Sequence, residues 1–289
     1  MTRTERMSIM KKVFIFDADR CNGCANCMLA CKDEHCDNDW TPYAKPQQQT
    51  GQNWNWLDER ERGQVPKVRV SYVLHMCQHC DDCALVAAAP ECVYQRDDGL
   101  VIIDPEKATG RNDLVELCPH GAVTWNAQLD LPQKCTGCAH LLDDGWTVPR
   151  CVEVCAMGAL RFGDEEDFAD EIARGELLPC VEGRTTEAGG AKSRVHYLNL
   201  PKRFLAGEVV DTDADEVVIG ATVTLENKQT GELRHTLTDE LGDFWFKQIE
   251  AADYTVYFEK EGYLARKIDA STVDEDRNVG TIALYAAQV

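Results

Sequence analysis

Hydrophobic and polar positions follow two different rhythms along this chain. In the first 165 residues the apolar stretches are short and widely spaced. Lys12-Val-Phe-Ile-Phe-Asp17 reads as a short strand, and Val68-Arg-Val-Ser-Tyr-Val-Leu74 as an alternating, β-branched one. Gly99-Leu-Val-Ile-Ile-Asp104 and Gly158-Ala-Leu-Arg-Phe162 predict two further strands, and a helical segment runs from about Asn112 to Cys118. From about Leu205 the period becomes two. Ala221, Val223 and Leu225 alternate with Thr222, Thr224 and Glu226, and Tyr254, Val256 and Phe258 with Thr255, Tyr257 and Glu259. Turn signals at Lys228–Gly231, Glu240–Gly242 and Glu261-Gly262 separate about seven short strands, the pattern of a small antiparallel sandwich or barrel.

The segments between these elements are less regular. Residues 1–10 read as a loose tail. The Gln-, Asn- and Trp-rich stretch after Cys36, to about Pro66, holds Pro42, Pro46 and Gly51 and shows no helical period, which predicts a long surface excursion. Its Trp40, Trp54 and Trp56 either fold it back onto its own domain or offer it to a partner. Residues 166–200 read as a linker: an acidic, helix-like run from Asp164 to Ile172 with a solvated face, the pair Gly189-Gly190, and a connector from Lys192 to Pro201.

Cysteine spacing changes the picture most. All fifteen cysteines lie between Cys21 and Cys180, in groups at metal-ligand intervals rather than scattered as in a disulfide scaffold. Cys21-Asn-Gly-Cys24-Ala-Asn-Cys27-Met-Leu-Ala-Cys31 is the ligand run of a bacterial-type ferredoxin. There the first three thiolates hold one [4Fe–4S] cubane and the fourth reaches to a second. A zinc scaffold, the alternative for Cys-rich chains, is normally fed by separated Cys-x-x-Cys pairs, so the third closely spaced thiol disfavours it. Further groups follow at Cys77-Gln-His-Cys80-Asp-Asp-Cys83, Cys118-Pro119, Cys135-Thr-Gly-Cys138 and Cys151-Val-Glu-Val-Cys155.

Charge and hydropathy then exclude several classes. The net charge of −20, from 30 basic and 50 acidic residues, argues against nucleic acid, and no apolar run of bilayer-spanning length argues against direct membrane insertion. Met1–Met10 lacks an apolar h-region and a twin-arginine pair, which together with the grouped thiols leads us to expect a reducing, cytoplasmic setting.

Four cysteine groups in this order, the last written Cys-x2-Cys-x12-Cys-x3-Cys, resemble the iron–sulfur subunits of molybdopterin oxidoreductases such as the dimethyl sulfoxide, polysulfide and nitrate reductases. The resemblance covers about residues 10–165. It implies an α+β fold, a tandem ferredoxin-like iron–sulfur domain, here followed by the β-sandwich or barrel over 201–289. It implies one cluster on Cys21, Cys24, Cys27 and Cys155, and its neighbour on Cys135, Cys138, Cys151 and Cys31. The inner half departs from the family pattern. With Gly110 set on the family's loop glycine, Ala108, Arg111 and Leu114 stand where three thiolates belong, and Ala89 where the fourth does. One cubane has thus lost every ligand. The other retains Cys77, Cys80 and Cys118, with Cys83 as the fourth, although the family places this thiol nearer Leu85; Cys92 is the reserve. Three [4Fe–4S] clusters follow, with Cys36, Cys92 and Cys180 left over as small buried apolar residues.

The family resemblance also implies a large, molybdopterin-containing catalytic partner that alone carries the bis-pterin molybdenum cofactor, and no catalytic residue in this chain. Loss of one cluster together with a C-terminal β module resembles the small subunits of pyrogallol–phloroglucinol transhydroxylases. A molybdenum reductase subunit is the alternative. Lys32, Lys134 and Arg150, beside ligands, either raise cluster potentials or serve solubility. In the C-terminal module, Thr238-Asp, Gly242, Phe244, Phe246 and Gly262-Tyr263 are similar to carboxypeptidase-regulatory-like and collagen-adhesin B-type modules. His196 and His235 stand alone there, which points to a docking or stabilising role.

Overall fold

The computed structural model describes residues 10–181 and 192–287. The chain forms two compact units, one running to Glu59 and resuming over Tyr72–Leu200, the other made of Arg60–Ser71 and Pro201–Val289. The pair Gly189-Gly190 and most of the expected N-terminal tail lie outside the described residues.

The first unit is organised on β1 (Lys12–Asp17), whose apolar run is continuous because both of its faces are covered. Phe14 and Phe16 enter the main core, while Val13 and Ile15 face a second, smaller cluster with Leu198. Each such buried side chain contributes roughly 1.5–3 kcal/mol by leaving water. Helix α1 (Asn26–His35) leaves the first cysteine loop, and β2 (Asn55–Gln64) pairs with β3 (Lys67–Met76). Short elements follow: α2 (Ala84–Ala88), β4 (Val93–Gln95) paired with β5 (Val101–Ile103), and α3 (Asp113–Leu117). Then come β6 (Thr124–Asn126) paired with β7 (Leu131–Gln133), α4 (Ala139–Asp143) and α5 (Arg150–Glu153), which packs on α1. β8 (Leu160–Asp164) closes antiparallel onto β1.

Two sequence expectations are corrected here. Residues 166–200 are not a linker over their described part. A 3-10 turn (Glu165–Phe168) and α6 (Ala169–Arg174) lay Phe168 and Ile172 against Val13 and Ile15. β9 (Val195–Leu198) then adds to β1 in parallel, making the sheet order β8–β1–β9. A four-residue strand carries too little periodicity to be read alone. The excursion after Cys36 is likewise less exposed than expected, for Trp54 is buried in the main core and β2 is regular strand.

The second unit holds β10 (Arg203–Asp211), β11 (Glu216–Val217), β12 (Thr222–Asn227), β13 (Leu233–Leu237), β14 (Asp243–Ile249), β15 (Asp253–Glu259), β16 (Arg266–Ser271) and β17 (Arg277–Leu284). β10 pairs antiparallel with β11 and β14 and parallel with β17; the other sheet has the antiparallel order β13–β12–β15–β16. Alternation on β12 and β15 sends Val223, Leu225, Tyr254, Val256 and Phe258 inward to meet Leu205, Val209, Phe244 and Ile282. The tip of the β2–β3 hairpin belongs to this unit. Lys67 pairs with Asp243, and the Gln64 amide donates to Glu275 Oε1 at 2.9 Å and accepts from Asn278 N at 3.0 Å.

Candidate metal-cluster site

The first unit gathers the thiols in fours, and none of the fifteen cysteines forms a disulfide. In the outer group Cys24 is exposed and Cys21, Cys27 and Cys155 are half-buried. Burial pushes the Cys27 thiol up to about 11, and Cys21, Cys155 and Cys24 lie near enough to push it further. The loop that holds them turns through Gly23 at φ +73°, where an added Cβ would fall 2.3 Å from the Tyr72 ring. That approach admits only glycine. Leu160 N donates to Cys155 Sγ at 3.3 Å.

The middle group, Cys31, Cys135, Cys138 and Cys151, is buried throughout. Burial drives Cys31 and Cys151 well above the ordinary thiol range, reinforced in both by Cys135 and Cys138. Burial likewise raises Cys138 to about 12. Desolvated thiols of this kind become ligands only when metal takes the place of their protons. The second ligand loop repeats the first: at Gly137, φ +66°, an added Cβ would fall 2.8 Å from Leu100, and the Gly137 N–H donates to Cys135 Sγ at 3.3 Å. Three cations offset the burial, one per ligand: Lys32 at Cys31, Lys134 at Cys135 and Arg150 at Cys138. Each also has local partners. Lys32 Nζ donates to Gln48 O at 2.7 Å and Gln52 O at 2.5 Å, Lys134 Nζ to Val101 O and to Cys135 O at 3.0 Å, and Arg150 pairs with Glu34 and Glu153.

The inner group joins Cys77, Cys80, Cys83 and Cys118 around a cavity of about 20 Å³, also lined by His79, Leu85, His120 and Lys134. Burial raises Cys80, with Cys77, Cys83 and Cys118 adding to the shift. His79 N donates to Cys77 Sγ at 3.5 Å and Ala122 N to Cys118 Sγ at 3.4 Å. The groups stand in file: Cys27 is felt by Cys31 and Cys151, and Cys77 by Cys135.

Cys92 is not drawn into this group. Its neighbours are Arg111, Glu91 and Asp113, and Arg111 Nη1 lies 3.8 Å from its sulfur. Of the leftover cysteines only Cys92 is buried. Cys36 and Cys180 are half-buried, a correction to the small-apolar reading, and Cys36 Sγ donates to Gln48 O at 3.6 Å. At the positions lacking thiols, Ala89, Ala108 and Leu114 are wholly buried in the main core, and Arg111 lies half-buried beside them, paired with Glu91 and Asp113.

Several residues that matter here were not singled out in the sequence. His79 occupies the loop position of Gly23 and Gly137 at φ +46°, and its Nδ1 accepts from Val101 N at 3.0 Å. The connector supports the same loop. Ser193 Oγ donates to Gln78 Oε1 at 2.9 Å, Arg194 N to Gln78 O at 2.8 Å, and the Arg194 guanidinium grips Asp81 at 2.6 and 2.7 Å. The histidine between two ligands was a visible signal; the connector gave none.

The donor set fits a polynuclear group. Four thiols, the soft ligand type that holds iron–sulfur clusters, line one cavity together. Comparison with known proteins points the same way. Residues 68–165 match the 4Fe-4S dicluster domain, and 205–285 the carboxypeptidase regulatory-like domain. The pyrogallol hydroxytransferase small subunit of Pelobacter acidigallici is 35% identical over 274 residues, 92% of this chain and 95% of that protein. The chain belongs to the iron–sulfur subunit family of the molybdopterin oxidoreductases. Other members are a probable anaerobic dimethyl sulfoxide reductase chain of Escherichia coli, 33% identical over 54% of this chain and 74% of its own length, and a tetrathionate reductase subunit of Salmonella typhimurium, 33% identical over 66% and 73%. As an iron–sulfur subunit of this family the chain transfers electrons within a molybdoenzyme. Among the described residues no helix is long and apolar enough to cross a membrane.

Proposed function

We propose that this chain carries three [4Fe–4S] clusters, one in each group of four thiols, and pairs with a large bis-molybdopterin subunit that transfers hydroxyl groups between trihydroxybenzenes. The observation that carries the partner's identity is the extent of the match. The hydroxytransferase small subunit aligns over 92% of the chain, whereas the dimethyl sulfoxide reductase chain aligns over 54%. The three-cluster count is supported by the burial of Ala89, Ala108 and Leu114 where a fourth ligand set would stand. Completion of the inner set by Cys83 is supported by its place on the cavity, beside Leu85.

A bound cubane supplies a centre that accepts and returns one electron. The chain's residues make that exchange workable: the thiolates hold the clusters in file, the core excludes water, and backbone N–H groups at Cys77, Cys118, Cys135 and Cys155 offset charge on sulfur. Hydroxyl transfer between trihydroxybenzenes has no net redox change, so the clusters buffer electrons during turnover instead of feeding a respiratory chain. No residue of this chain is catalytic, the β module serves docking or stability, and fifteen unbridged thiols suit the cytoplasm.

The test is to purify the native complex without air and supply pyrogallol and its tetrahydroxybenzene co-substrate with no external electron acceptor. Phloroglucinol forming in a molybdenum-containing preparation is the expected result. Molybdenum without phloroglucinol would move the chain to a reductase.

A further inference from the structure

His35 ends α1 and is 1% exposed. Its Nε2 lies 3.8 Å from Sγ of Cys138, 103 residues away in the chain, while its Nδ1 is buried and has no hydrogen-bond partner. The ring is fixed on several sides. Trp54 packs at 4.5 Å and the edge of His140 at 5.4 Å, and the His35 carbonyl accepts from Gln47 N at 2.8 Å. His140 is itself held, stacked on Trp40 at 4.2 Å and hydrogen-bonded to Glu34 Oε1 at 3.0 Å.

This arrangement decides where the ring's proton sits. A neutral imidazole carries a single N–H, and a doubly protonated one would donate from Nε2 in any case. A metal-bound thiolate has no proton and can only accept. Placing the proton on Nδ1 would point two lone pairs at each other across the Nε2–Sγ contact and also bury an N–H with no acceptor. Placing it on Nε2 makes one hydrogen bond and leaves only a buried acceptor unpaired, the cheaper of the two defects.

We infer that His35 is a positioning residue that donates Nε2–H to the Cys138 sulfur and raises the reduction potential of the middle cluster. This rests on the reading that Cys31, Cys135, Cys138 and Cys151 hold a cubane. A hydrogen bond to sulfur stabilises the more negative, reduced state, and removing it moves the potential down. With Lys32 at Cys31, Lys134 at Cys135 and Arg150 beside Cys138 itself, the middle of the file becomes the place where an electron rests.

The experiment is an EPR-monitored redox titration of the whole complex, comparing wild type, His35→Phe and His35→Gln. His35→Phe keeps a planar ring and removes the donor; His35→Gln restores an N–H. For His35→Phe we expect one cluster signal alone to shift to lower potential, with the reduced fraction at a fixed potential changing about tenfold, equivalent to about 59 mV for one electron. His35→Gln should recover most of that shift. Unchanged potentials in His35→Phe with full iron content would overturn the inference while leaving the three-cluster reading in place. A wild-type preparation without three cubanes would instead overturn that reading. In a second measurement, pulsed EPR of the complex labelled with 15N-histidine should show a weakly coupled ring nitrogen that disappears in His35→Phe, and a spectrum the same in both would also sink the inference.

Discussion

Cys77, Cys80, Cys83 and Cys118 line an open cavity, whereas Ala89, Ala108 and Leu114, neighbours of these thiols in the chain, pack to zero exposure. The contrast shows what losing a cluster demands of a fold. A void costs on the order of 24 cal/mol per Å³, so space left by departed ligands destabilises a fold in proportion to its volume. Exchanging the ligands for Ala and Leu closes that space with the side chains the main core already uses. Arg111 remains at the edge of this filled site as a surface charge paired with Glu91 and Asp113.

The largest effect separating the two places is expected from Cys118→Ser. It should remove the inner cluster and leave the other two, read as a one-third fall in iron and labile sulfide. Loss of all three together would contradict the grouping. Leu114→Ala tests the filled site and should leave the iron content unchanged. It should destabilise the first unit by about 2–5 kcal/mol, measured by denaturant unfolding under anaerobic conditions.

The loop glycines sharpen the same comparison. Gly23→Ala meets the Tyr72 ring at 2.3 Å in addition to left-handed strain of about 1–2 kcal/mol, and should lower retention of the outer cluster during gel filtration. At Gly110, φ +77° in the filled half, an added Cβ would meet nothing nearer than Asp130 Oδ2 at 3.7 Å. Gly110→Ala should therefore cost only about 1 kcal/mol of strain and no iron. Equal behaviour of the two variants would mean that both halves bind clusters. The smallest effect is expected from Arg111→Ala, whose ion pairs are solvent-screened. Its thermal midpoint should move by the equivalent of under about 1 kcal/mol.

What was legible in the sequence was local. The thiols at two- and three-residue intervals announced their loops. The alternation from Ala221 to Leu225 and from Tyr254 to Phe258 fixed two strands of the β module. What was not legible depends on contacts between distant residues. His35 meets Cys138 across 103 positions, Ser193 and Arg194 support the loop of Cys77 from more than 110 residues away, and the 60–71 hairpin tip belongs to a unit that begins again at Pro201. No periodicity within a window of ten residues encodes these. β9 escaped for a related reason, since its four residues became a strand only because the edge of β1 was open to it.

The most direct test of the central claim is anaerobic native mass spectrometry of the complex, with the small subunit ejected in the gas phase. The account expects this chain to leave its partner carrying the added mass of three [4Fe–4S] clusters. A mass corresponding to two cubanes, to four, or to zinc would contradict it.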